Sequence, residues 1–99
     1  MIRMTEVYKW VEETVEASNN KMSMATNFHK GDIREMVVKG AGSHNEVVFN
    51  RIDNHLIITA MDNGVKSAKE GFIDLERHSM EDFNKVIVNV FKTIVTTNI

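Results

Sequence analysis

The spacing of apolar residues divides the chain into three zones with different periods. In the first, Met4, Tyr8, Val11 and Val15 recur at intervals of four, three and four, with Val7 beside them and Glu6, Lys9, Glu12, Glu13 and Glu16 opposite. Residues spaced this way share one face of a helix. The pattern predicts an amphipathic helix over about residues 3–18, with Thr5 as its cap and Ser18-Asn19-Asn20 as its stop.

The period then shortens to two. Met22, Met24, Thr26 and Phe28 alternate with Ser23, Ala25 and Asn27, which is the signature of a strand with one buried face. After the turn-like His29-Lys30-Gly31-Asp32, three more short runs follow: Ile33 to Lys39, Glu46 to Ile52 and Leu56 to Met61. Each is rich in β-branched residues and bounded by turn chemistry. Asp53-Asn54 and Asn63-Gly64 suit tight hairpins, because Asn, Asp and Gly tolerate positive φ, and Gly71 to Glu76 supplies a further edge strand. A two-residue turn at Asp53-Asn54 fixes the register, setting Ile52 opposite His55, Phe49 opposite Ile58 and Val47 opposite Ala60. One face then carries Val47, Phe49, Arg51, Leu56, Ile58 and Ala60. The other carries Val48, Ile52, Ile57 and Met61 among polar neighbours, and is too apolar for a face that meets only water.

The third zone opens at Ser79. Its hydroxyl can accept a hydrogen bond from the Asp82 amide, and Glu81 and Asp82 suit the positive end of a helix dipole. Met80, Phe83, Ile87, Val90, Phe91 and Ile94 mark one helical face, widened by Val86, Val88 and Val95. Residues 86–95 also have the composition of a strand, which is the competing reading. The expected fold is therefore α+β and a single small domain over residues 1–99: an N-terminal helix, an antiparallel meander sheet of four to five strands and a C-terminal helix, with the helices mainly on one sheet face.

Composition narrows the function more than it identifies it. A chain of 99 residues has room for one core. Net charge is −2 with histidines neutral, so no broad basic field marks a nucleic-acid or anionic-membrane binder. Cysteine is absent, which removes disulfides, thiolate nucleophiles and Cys-based metal centres. No apolar run approaches the ~20 residues that span a bilayer, and the N-terminus lacks a signal-peptide core, so a cytoplasmic location is expected. Frequent Lys, Asn and Ile with sparse Arg fit a gene from an AT-rich genome.

Candidate chemistry is thin. Gly40-Ala41-Gly42-Ser43 could cradle a phosphate only at the start of a helix, yet it leads into the strand-like Glu46-Val47-Val48-Phe49, so it reads as a hairpin connection. Ser43-His44-Asn45-Glu46 matches a capping box and is set aside for the same reason. His44 and His55 would sit roughly 30 Å apart at the two ends of a strand pair, too far to share a metal ion. His29 with Asp32 is a short His–carboxylate spacing, and it falls in a turn. Ser43, His44 and Asp62 can be grouped on paper as a triad, but no nucleophile elbow supports them. No catalytic, cofactor or metal residue is assigned.

The favoured reading is a non-enzymatic binding protein acting through protein–protein contact, of the kind represented by a phage or mobile-element inhibitor or adaptor. Its contact candidates are Trp10, which lies off the apolar stripe of the first helix, and the acidic Glu12, Glu13 and Glu16. The same indole could instead close the edge of the core. Excess apolar surface predicts a homodimer, joined either sheet to sheet through Ile57 and Met61 or helix to helix through Val88, Val95 and Ile99. The alternative is a small-molecule-binding protein or minor enzyme with a pocket between sheet and helices or at a dimer interface.

Overall fold

The computed structural model describes residues 1–40, 45–62 and 65–97, the side chains of 65–69 and 91–97 excepted. The first helix, α1 (Met4–Glu16), buries Met4, Val7 and Val11. It starts earlier in its cap than Thr5: Arg3 is the capping residue, in extended conformation, and its N–H donates to Glu6 Oε1 at 3.1 Å. A glutamate reaching back from the third helical position satisfies the same free amide that a threonine cap would have left to water. At the other end Asn19 and Asn20 take left-handed backbone conformations, with φ of 54° and 66°, and stop the helix.

Five strands follow: β1 (Met22–His29), β2 (Asp32–Gly40), β3 (Asn45–Ile52), β4 (His55–Asp62) and β5 (Val65–Asp74). They form one antiparallel sheet in the order β1-β2-β3-β4-β5, each strand paired with its neighbours in sequence. The β1–β2 turn places Lys30 and Gly31 at φ of 53° and 82°, and Asp53 takes 54° in the β3–β4 turn. That second turn sets the expected register, with Ile52 facing His55, Phe49 facing Ile58 and Val47 facing Ala60. Residues 41–44 and Asn63-Gly64, where further turn chemistry was expected, lie outside the described residues. β5 begins well before the expected Gly71 and ends at Asp74, so its first half is a polar stretch that pairs with β4 despite lacking an apolar alternation.

The last element, α2 (Met80–Thr97), is helical throughout, which rejects the strand reading of residues 86–95. Ser79 nucleates it: its hydroxyl accepts from the Asp82 amide at 3.3 Å, while its own N–H donates to Asp82 Oδ2 at 2.9 Å. Local capping and the Phe83-Ile87-Val90 stripe, all buried, outweigh the β-propensity of the valines.

Both helices pack on one face of the sheet, α1 over β1 and β2 and α2 chiefly over β3 to β5. Met36 and Val38 of β2, Val47 and Phe49 of β3, Leu56, Ile58 and Ala60 of β4 and Ile73 of β5 form the floor of the core. Trp10 of α1 meets Phe83 of α2 edge to face, with ring centroids 5.3 Å apart, and ties the two helices together above that floor. A backbone hydrogen bond from Ile2 N–H to Leu75 O, 2.7 Å long, fastens the N-terminal segment beside the end of β5.

Candidate interaction surface

Period two along each strand sends alternate residues away from the helices, and pairing aligns them into rows. Val37, Val48 and Thr59 form one row across β2, β3 and β4; Asn50, Ile57 and Phe72 form the next across β3, β4 and β5; Ile52, His55 and Asp74 form a third. Among the described residues no element covers this face. Phe72 is 55% exposed and Ile52 49%, while Val37, Val48, Ile57 and Met61 are half-buried only by one another and their neighbours. The sequence expectation that this face needs a cover thus meets a structure whose described residues supply none.

Polar groups frame the patch. Lys39 Nζ lies 3.9 Å from Glu46 Oε2, Asn27 Nδ2 donates to Glu35 Oε1 at 2.9 Å, and the His55 ring stacks on Phe72 at 5.1 Å with an interplanar angle of 30°. Asp74 sits at the corner beyond His55. Burial pushes its carboxyl up, but hydrogen bonds from the Glu76 and Arg77 amides and the nearby charges of His55 and Arg77 outweigh that and hold it below the ordinary aspartate value. Its backbone N–H donates to His78 Nδ1 at 2.8 Å, so His78 serves the turn between β5 and α2. Of the described side chains on this frame, Glu35, Glu46, Glu70 and Asp74 are acidic, against Lys39 and Arg77, each of which already lies within ion-pair distance of a carboxylate.

The remaining sequence candidates scatter. Trp10 is half-buried against Phe83, so one edge of the indole is already engaged in the core. Glu12 accepts a hydrogen bond from the Tyr8 hydroxyl, which together with the Glu12 charge raises the Tyr8 pKa; Glu13 and Glu16 are exposed. Val88 is 63% exposed on the outer side of α2, far in role from the sheet patch that holds Ile57 and Met61. The Val95 side chain and Ile99 lie outside the described residues, as do Ser43 and His44. His29 and Asp32 face each other at the β1–β2 turn and, with Arg34, Arg51 and Asp53, line an open dent at the hairpin end of the sheet. No three described His, Asp or Glu residues gather into a group that could hold a metal ion.

Phe72 is the residue that sequence reasoning missed. It lies in a strand without a clear alternation, and only its position opposite Ile57 shows which face it joins. Comparison with known protein families, curated proteins and solved structures finds no match, so the surface is read from its own residues.

Proposed function

We propose that the protein is a non-enzymatic binding protein, an inhibitor or adaptor, whose working surface is the open face of the sheet. The observation that carries this reading is the row of Ile57 and Phe72, flanked by Val48 and Ile52, which no described residue covers on the side opposite both helices. With strands about 4.8 Å apart and same-face residues about 6.6 Å apart along each, Val37, Val48, Ile52, Ile57, Met61 and Phe72 occupy roughly 200 Å² of the sheet face as one apolar cluster, and such a cluster suits the centre of an interaction site.

The occupant that fits is a different protein presenting an apolar patch with Lys or Arg at its border. Two copies of this face stacked together would bring only about 400 Å² of apolar cluster into contact and would set acidic frame against acidic frame. A basic border instead complements a frame on which, among the described side chains, four carboxylates stand against Lys39 and Arg77. Phe72 and Ile57 are then the central anchors and the acidic frame tunes association rate.

The test is affinity capture from the encoding organism with wild type, Ile57→Glu, Phe72→Ala and, as a control on the far side, Val88→Glu. A stoichiometric protein captured by wild type and Val88→Glu, lost with Ile57→Glu, weakened with Phe72→Ala and weakened by salt is expected. Capture insensitive to the face substitutions refutes the surface. A metabolite retained in native mass spectrometry, with no protein captured, favours the small-molecule reading instead.

A further inference from the structure

Among the described residues the meander leaves two strands with an unpaired edge, β1 and β5. Exposed edges invite another strand, and proteins blunt them with charge, proline or bulges. β5 is blunted: it carries Lys66, Lys69 and Glu70, and its pairing with β4 is irregular opposite Thr59 and Met61. β1 is not. Its eight residues, Met-Ser-Met-Ala-Thr-Asn-Phe-His, include no Lys, Arg, Asp, Glu or Pro, and its one register shift leaves the extra residue in β2.

The direction of the free backbone groups can be read from one hydrogen bond. Met22 N–H donates to Ser18 Oγ at 3.1 Å, so it points away from its partner Gly40 on β2. Antiparallel ladders alternate, so Met24 and Thr26 also direct N–H and C=O outward. We propose that this edge pairs with β1 of a second copy, antiparallel about a two-fold axis at Ala25, joining two five-stranded sheets into one continuous ten-stranded sheet.

The register centred on Ala25 matches like with like. Met24 faces Thr26 of the second copy and exchanges both backbone hydrogen bonds with it, and the two-fold repeats that pair. Ala25 faces Ala25, a non-hydrogen-bonded pair in which the backbones approach most closely and a small side chain fits. Ser23 faces Asn27, and Met22 faces Phe28, whose ring is 61% exposed in the single chain. No charge opposes a like charge anywhere along the pair, a condition that β5 with its lysines would not meet.

At about 100° per residue, Tyr8 and Val15 lie some 140–160° around α1 from Trp10, which meets Phe83 of α2. Both are half-buried against the core, so the pairing of the two edges rests on the strands themselves. The homodimer expected from sequence thereby has a geometry that uses neither Ile57 and Met61 nor Val88, and it leaves two copies of the open sheet face side by side.

Because the chain has no cysteine, single-cysteine variants read the geometry directly. Ala25→Cys should form a disulfide-linked dimer on mild oxidation, since facing non-hydrogen-bonded residues meet the Cβ separation a disulfide requires, whereas Ile57→Cys and Val88→Cys should remain uncrosslinked. In sedimentation equilibrium wild type should run at twice 11.3 kDa and Ala25→Lys, exposed and solvated in the single chain, at 11.3 kDa with unchanged circular dichroism. Thr26→Pro, which removes one outward N–H without touching the β1–β2 ladder, should do the same. A wild type of 11.3 kDa, an Ala25→Lys that stays dimeric, or preferential cross-linking through Ile57→Cys or Val88→Cys overturns the proposal.

Discussion

Gly71 stands where α2 packs on β5 without room for a Cβ, and replacing it by Ala isolates that approach. Its backbone pairs with Ile58, and a Cβ built there would run into Val86 Cγ1, while Val90 Cγ2 at 3.6 Å and Ile58 Cβ at 3.7 Å are at ordinary contact. The conflict is therefore with one methyl group. Val86 cannot swing aside cheaply, because a β-branched side chain in a helix has essentially one rotamer. Overpacking of this kind costs ~1–3 kcal/mol, and the gain of replacing glycine within a strand returns about 0.5–1 kcal/mol, leaving a net loss of about 1–2 kcal/mol. Val86→Ala removes two partly buried methyls and by itself costs about 1 kcal/mol. In the double variant the new methyl occupies the space the valine vacated, so the combined loss should fall short of the sum by about 1–2 kcal/mol. Urea denaturation followed by circular dichroism on wild type, both single variants and the double closes the cycle. Strictly additive losses, or Gly71→Ala as stable as wild type, would refute the close-packing account of Gly71.

Two further outcomes follow from the turn and the helix contact. Hydrogen bonds from the Ser79 backbone and hydroxyl hold the Asp82 carboxyl below the ordinary value of 3.8, and Asp74 is also lowered. Carboxyls with depressed folded-state values contribute stability that is present above their unfolded-state value and lost as pH falls through the folded one; the urea midpoint should therefore drop as pH goes below ~4, less steeply in Asp82→Asn, and parallel profiles for the two proteins would contradict this. Trp10→Ala should lower stability by about 2 kcal/mol through loss of a half-buried edge-to-face contact, and the single tryptophan's fluorescence should report unfolding at the same urea midpoint as circular dichroism; an unchanged midpoint would place the contact with Phe83 outside the stabilising core.

What could be read before the structure depended on whether local chemistry and burial agreed. At the β3–β4 hairpin they did, because Asp53 takes the positive φ its type permits and the alternation on both strands points to one register. They also agreed at Ser79, where the cap and the Phe83-Ile87-Val90 stripe decide for helix against the valine-rich composition. They disagreed along β5, where lysines and a glutamate leave no period to detect and pairing with β4 alone makes the strand. Gly71 was the expected start of the edge strand, whereas β5 begins at Val65 and Gly71 lies within it, facing Val86 of α2 where a Cβ would not fit. The open face was legible as an apolar excess from Val48, Ile52, Ile57 and Met61, but its most exposed aromatic, Phe72, was not, since its membership is decided by a partner strand. Trp10 lay off the stripe because the contact it makes is with the other helix rather than with the sheet.

The hydrogen bond between Ile2 N–H and Leu75 O has a consequence for the order of events during synthesis. Each strand finds its partner one hairpin away, so the sheet can assemble stepwise as the chain emerges, with short loops to close at each step. Ile2, which precedes every strand in the chain, has to wait for Leu75. Until then Ile2 lacks the neighbours that bury it in the finished domain, and α1 has only the β1–β2 hairpin to dock against. Ile2 thus stays exposed until β5 is made, and the core closes only when α2, made last of the elements, brings Phe83, Ile87 and Val90 onto the sheet.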